Sequence, residues 1–240
     1  MEDGSKLIGQ LLVSGGKTEI PIPKRPPGSH IGDAWLAKYK NPAETDDKET
    51  SPGNNYDGDG LSAYEEYRGV IAHGGFTRLD PNKKELGVKT GDWLLFLDGI
   101  AKFEAYSDLD IICFFEDEIG TDRRLNKNKL TAHIYDQYAL YLQKAALTGD
   151  LGKSFGGPAI PKQVNKTVID QNRIRLAYQD RLAEAKNINT TLSYTEKDLF
   201  ATVTAHELSH SVNVKHHGSL APNSLNLQIQ PGRPVRIFDY

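Results

Sequence analysis

The 240-residue chain carries 29 Lys and Arg against 32 Asp and Glu, a net charge of −3 with both signs interspersed, so it offers no basic surface for nucleic acid. Its only cysteine, Cys113, excludes an internal disulfide, and no apolar run approaches the length of a membrane-crossing helix. This length suits one large domain, or one domain with a small appendage, and is enough to bury a substantial core.

Residues 1–30 are polar and rich in Pro and Gly, with a candidate strand at 7–13 and a linker at 21–28. Met1-Glu2-Asp3-Gly4-Ser5 lacks a basic region followed by an apolar stretch, so the chain does not read as an intact secretory precursor. Residues 31–39 form a short helix candidate carrying Trp35 and Leu36, and residues 40–53 a charged loop. The segment Asn55-Tyr56-Asp57-Gly58-Asp59-Gly60-Leu61-Ser62-Ala63-Tyr64-Glu65-Glu66 then matches a twelve-residue calcium loop at positions 1, 3, 5, 6 and 12. Asn55, Asp57 and Asp59 supply side-chain oxygens, Gly60 the sharp turn, and Leu61 a backbone carbonyl. Glu66 is the bidentate closer, carried on a short helix at 62–68. Hard oxygen ligands, three of them carboxylates, select Ca2+ over zinc. The loop resembles the repeats of dockerin and thrombospondin type 3 modules, and its single copy implies a structural clip. Residues 31–85 thus read as a small helical calcium-loop module.

From residue 86 the pattern changes. Residues 93–97 and 111–115 are continuous apolar runs of the kind found in strands buried on both faces, and the second encloses Cys113 as an inert thiol. Residues 138–142 and 167–169 are further strand candidates, and 149–163 is a Gly/Pro-rich loop. Residues 172–186 are helical, with Ile174, Tyr178 and Leu182 on one face. A last helix opens with a capping box, either Ser193 with Glu196 or Thr195 with Asp198. It is apolar around much of its circumference, which predicts a buried helix. Strands leading into such a helix predict an α/β fold.

That helix carries His206-Glu207-Leu208-Ser209-His210, an HExxH motif, and four of the chain's seven histidines fall between His206 and His217. Positions i and i+4 share a helix face, so His206 and His210 can point at one zinc ion. Glu207, beside them, can reach water at the metal without ligating it. A third ligand must come from beyond the helix, after a sharp turn. Asn213 is placed to make it, since Asn tolerates left-handed backbone. No Glu follows Glu207, and Asp239 is the only later Asp, so His216 and its neighbour His217 are the candidates. Three neutral imidazoles around an ion with one open position are a catalytic zinc pattern.

The extended motif resembles that of the metzincin clan of zinc metallopeptidases, HExxHxxGxxH, with Asn213 standing at the clan's Gly. The resemblance selects His216 as third ligand and leaves His217 at the periphery. It implies a mixed, mostly parallel sheet with a backing helix and an active-site helix, here preceded by the small calcium-loop segment. It also implies an edge strand that pairs with an extended substrate, for which 138–142 is the candidate. The chain departs from the clan at its methionine turn, because its only Met is Met1. Phe238, in Arg236-Ile237-Phe238-Asp239-Tyr240, stands nearest that place. The domains expected are therefore a strand and linker segment at 1–30, the calcium module at 31–85, and a zinc metallopeptidase domain at 86–240.

The activity expected is that of a zinc endopeptidase with Glu207 as general base, acting on a peptide or protein substrate, with Zn2+ catalytic and Ca2+ structural. The association of protease signature and calcium loop suggests a secreted or cell-surface protein. The rival expectation is a non-catalytic calcium-binding surface module with a degenerate zinc site.

Overall fold

A computed structural model describes residues 23–40, 59–127, 133, 136–156, 164–212 and 214. The expected strand at 7–13 and most of the charged loop at 40–53 lie outside these residues. The first described elements are helices α1 (Asp33–Lys38) and α2 (Ala63–Arg68), followed by an antiparallel hairpin of strands β1 (Val70–Ala72) and β2 (Gly75–Thr77). Ile31, Trp35, Leu36 and Ala63 bury one another in a small cluster. Helix α2 begins where the sequence predicts a helix, because Ser62 and Glu65 form a reciprocal capping box. The Ser62 hydroxyl accepts from the Glu65 amide at 3.3 Å, and the Glu65 carboxylate accepts from the Ser62 amide at 2.9 Å.

The larger unit runs β3 (Lys84–Lys89), α3 (Trp93–Ser107), β4 (Leu109–Phe114), β5 (Leu140–Lys144), β6 (Gly152–Gly156), β7 (Val164–Ile169), α4 (Gln171–Asn187) and α5 (Glu196–Ser211). Its five strands form one sheet in the order β4-β3-β5-β7-β6. The pairs β3/β4, β3/β5 and β5/β7 are parallel, and only β6 runs antiparallel, against β7. The fold is therefore mixed α/β with a mostly parallel sheet. Strand β3 starts at Lys84, so the expected boundary at residue 85 falls inside it. No helix among the described residues is long and apolar enough to cross a membrane.

One core joins sheet and helices. Val88, Leu140, Leu142 and Ile169 from the strands meet Phe96, Ile100 and Phe103 of α3, Ile174 of α4, and Phe200, Ala205 and Leu208 of α5. Phe96 and Phe200 stack with centroids 5.8 Å apart, locking α3 to α5. Helix α5 starts at the second of the two predicted caps. Asp198 donates its amide to the Thr195 hydroxyl at 3.2 Å, and its carboxylate accepts from the Thr195 amide at 2.9 Å.

Three expectations are corrected. Residues 93–97 are not a strand but the first turns of α3. The apolar positions Trp93, Phe96, Ile100 and Phe103 recur at helical spacing and turn inward, whereas Leu94 is 83 % exposed. Residues 138–142 do not form an edge strand: β5 begins at Leu140 and lies inside the sheet, between β3 and β7. The loop expected at 149–163 contains β6, and β6 is the edge strand beside α5. Its short Gly-flanked sequence, Gly152-Lys153-Ser154-Phe155-Gly156, carries little apolar signal because only one face of it is covered.

Candidate functional site

Helix α5 is buried along one side, at Phe200, Ala201, Thr204, Ala205 and Leu208 among others, while Leu199, Val203, His206 and His210 form a half-buried stripe. The two histidines lie one turn apart, and their Nε2 atoms approach to 3.1 Å with the rings at 82°. Ligands held tetrahedrally at about 2.0–2.1 Å from a zinc ion lie roughly 3.3 Å from one another, so this spacing fits a shared ion. The tautomer fits as well. The Val214 carbonyl, which can only accept, sits 2.6 Å from His210 Nδ1. The proton of a neutral His210 therefore resides on Nδ1, and Nε2 presents its lone pair towards His206.

That contact exists because the chain leaves the helix promptly. Helix α5 ends at Ser211, Val212 caps it, and the Val214 amide donates back to the Ser209 carbonyl at 3.0 Å. Asn213, expected to make the turn, and His216, His217 and Phe238 lie outside the described residues.

Glu207 does not project into solvent. It is 7 % exposed, packed against β6, yet one of its carboxylate oxygens lies within 4.8 Å of ligand atoms of both histidines. Ser154 Oγ is 3.0 Å from Glu207 Oε2, 2.8 Å from the Glu207 backbone carbonyl and 3.0 Å from Thr167 Oγ1. Burial pushes the Glu207 carboxyl above its ordinary range, and the Ser154 hydroxyl and the His210 ring oppose that shift. Gly152 completes the wall: a Cβ there would lie 2.6 Å from Glu207 Cγ.

A second group of potential metal ligands joins the calcium-loop segment to the sheet. Asp59, Glu66 and Glu85 bring one carboxylate oxygen each within 4.8 Å of one another. Asp59 and Glu66 are sequence candidates, whereas Glu85, on β3, is not. Asp59 Oδ1 accepts from the Leu61 amide at 3.0 Å and Oδ2 from the Glu85 amide at 2.7 Å. Gly60, expected to supply the sharp turn, takes φ +90°, with the Gln137 side chain filling the space a Cβ would need. Burial, then the adjoining Asp59 carboxylate, pushes the Glu85 carboxyl up to about 8. Asn55 and Asp57 lie outside the described residues.

Ser154, Thr167 and Glu85 carry no motif. Each meets its partner through sheet register or tertiary contact, and no spacing in the sequence marks it. Comparisons of the chain with family models, with curated proteins and with solved structures found no match.

Proposed function

We propose that the chain is a zinc-dependent endopeptidase of metzincin type, in which His206 and His210, with His216 as third ligand, hold the ion and Glu207 is the general base. The observation that carries this reading is the pair of imidazole Nε2 atoms 3.1 Å apart, with the buried Glu207 carboxylate beside them on the same helix. The packing of α3 against α5 over a mostly parallel sheet supports the resemblance, with α3 as backing helix and α5 as active-site helix. Zinc bound here would supply a Lewis acid that polarises the scissile carbonyl and brings a water's pKa towards neutrality.

Glu207 accepts the proton of the attacking water and delivers it to the leaving amine. The carboxyl must both gain and lose a proton during the cycle, and burial shifts it upward, in the direction that eases its protonation. Strand β6 takes over the substrate role expected of 138–142. Among the described residues it pairs with β7 alone, so an extended peptide can add along its other edge, next to Glu207.

Asp59, Glu66 and Glu85, with Asn55, Asp57 and the Leu61 carbonyl from the motif, would hold a structural Ca2+. A site of this class fits a secreted or cell-surface setting, where calcium is millimolar.

The test combines zinc stoichiometry with cleavage of an unfolded protein, with and without a chelator. Glu207→Gln should retain zinc and lose hydrolysis, and His206→Ala should lose both. Wild-type cleavage by Glu207→Gln would remove the base assignment. The carboxylate group at Asp59 favours one rival, a non-catalytic calcium-binding surface module. Calcium binding with neither zinc nor cleavage would establish it.

A further inference from the structure

We propose that Ser154 is the positioning residue for Glu207, and that Thr167 sets the direction of its hydroxyl; this rests on the endopeptidase reading above. Side chains alternate along a strand, so Gly152 and Ser154 face α5 while Lys153 and Phe155 face away. Ser154 stands opposite Thr167 in the β6/β7 register, and their hydroxyl oxygens are 3.0 Å apart. Thr167 is fully buried.

The Ser154 hydroxyl has one proton and three acceptors within reach, the Glu207 carboxylate at 3.0 Å, the Glu207 carbonyl at 2.8 Å and the Thr167 hydroxyl oxygen at 3.0 Å. The carboxylate is the stronger acceptor, and a charge-assisted bond outweighs a neutral one. Either hydroxyl can donate across the Ser154/Thr167 contact; once the carboxylate takes the Ser154 proton, Thr167 is left as the donor and fills a lone pair on Ser154 Oγ. The chain Thr167 to Ser154 to Glu207 thus fixes which way the carboxylate points.

Gly152 adds the complementary constraint. Its missing side chain admits Glu207 Cγ, and Val203 Cγ1 flanks the same space, 3.1 Å from where a Cβ would stand. One short strand therefore both shapes the room for the base and holds its oxygen. The same strand offers its outer edge to a peptide, so substrate registered on β6 is registered on the element that aims Glu207. A misplacement of about 1 Å at a reacting group can cost roughly a hundredfold in rate.

The test compares Ser154→Ala, Ser154→Thr and Thr167→Val in the full chain. Kinetics on one peptide substrate, zinc content, and the Glu207 rotamer in crystal structures of each variant are read together. Ser154→Ala should lower kcat roughly ten- to a hundredfold with KM and zinc content unchanged. Its Glu207 carboxylate should occupy more than one rotamer. Ser154→Thr, which keeps the hydroxyl, should restore most of the rate and the single rotamer, and Thr167→Val should fall between. Full kcat in Ser154→Ala, or a Glu207 carboxylate that superposes on the wild type without the hydroxyl, overturns the proposal. Should the wild type neither bind zinc nor cleave peptide, the endopeptidase reading fails by itself, and the Glu207 rotamer alone decides the role of Ser154.

Discussion

At Gly152 a Cβ atom would lie 2.6 Å from Glu207 Cγ and 3.1 Å from both Glu207 Cδ and Val203 Cγ1. The nearest atom, Glu207 Cγ, lies in mid-chain, and the valine is stiff about χ1, so Gly152→Ala must push α5 and β6 apart or turn Glu207 from its place. Overpacking of this kind costs about 1–3 kcal/mol. A lower urea midpoint at unchanged slope should report it, together with a fall in kcat out of proportion to the loss of folded protein. An unchanged midpoint and kcat would mean that the contact relaxes freely. The residue scale also shows why half of the site is legible in sequence. His206, Glu207 and His210 are bound to one another by helical spacing, which a sequence displays directly. Gly152, Ser154 and Glu85 acquire their partners only when distant segments pair, and a serine between a lysine and a phenylalanine announces nothing.

The contact between α3 and α5 obeys similar close-packing. A Cβ on Gly99 would meet Thr204 Cβ at 2.4 Å and the Ala201 carbonyl oxygen at 3.1 Å, and Thr204 is fully buried. Two opposed effects bear on Gly99→Ala. Helix propensity favours alanine by about 0.8–1.0 kcal/mol, whereas forcing the helices apart costs about 1–3 kcal/mol. Overpacking should win because backbone stands among the obstructing atoms, so thermal denaturation should show a lower midpoint for the variant. A stabilised Gly99→Ala would show that the crossing yields easily. The same helix explains the misread element. Five consecutive apolar residues at 93–97 fit a buried strand, and only the continuation through Ile100 and Phe103 reveals a helical stripe. Strands β4 and β7 are legible at 111–114 and 167–169 because side chains on both of their faces are at least partly covered, whereas Phe115 lies beyond β4 and is exposed. Strand β6 is not legible, since an edge strand covered on one face needs few apolar residues.

On the scale of the whole molecule, the small N-terminal segment meets the sheet through ionisable groups as well as apolar ones. Glu65, 3 % exposed, receives His133 Nδ1 at 2.7 Å and the Asn126 amide nitrogen at 3.2 Å, while Glu85 on β3 faces Asp59 and Glu66. Both titrating groups shift upward: the hydrogen bond to Glu65 raises His133, and burial with the Asp59 carboxylate raises Glu85 to about 8. A raised pKa means that the folded chain holds a proton the unfolded chain has released. Stability from His133 is fully present below its ordinary 6.5 and is lost as pH rises through its higher folded value. For Glu85 the calcium-free protein should weaken as pH climbs from about 4.5 to about 8. On the proposed reading, calcium should reverse the second effect by taking the place of the proton among the three carboxylates. Melting curves at pH 5.5 and 8.5, each with chelator and with excess calcium, should show the largest calcium stabilisation at the higher pH. Calcium at about a hundred times its Kd contributes about 2.7 kcal/mol. Glu85→Gln keeps the shape and removes the charge. It should flatten much of the calcium-free decline, raise the calcium-free midpoint at pH 8.5, and shrink the calcium effect, whereas His133→Gln should leave the calcium effect intact. A calcium response that is equal at both pH values, or that survives Glu85→Gln in full, would place the ion away from β3 and leave the carboxylate cluster as a proton-bound joint between segment and sheet.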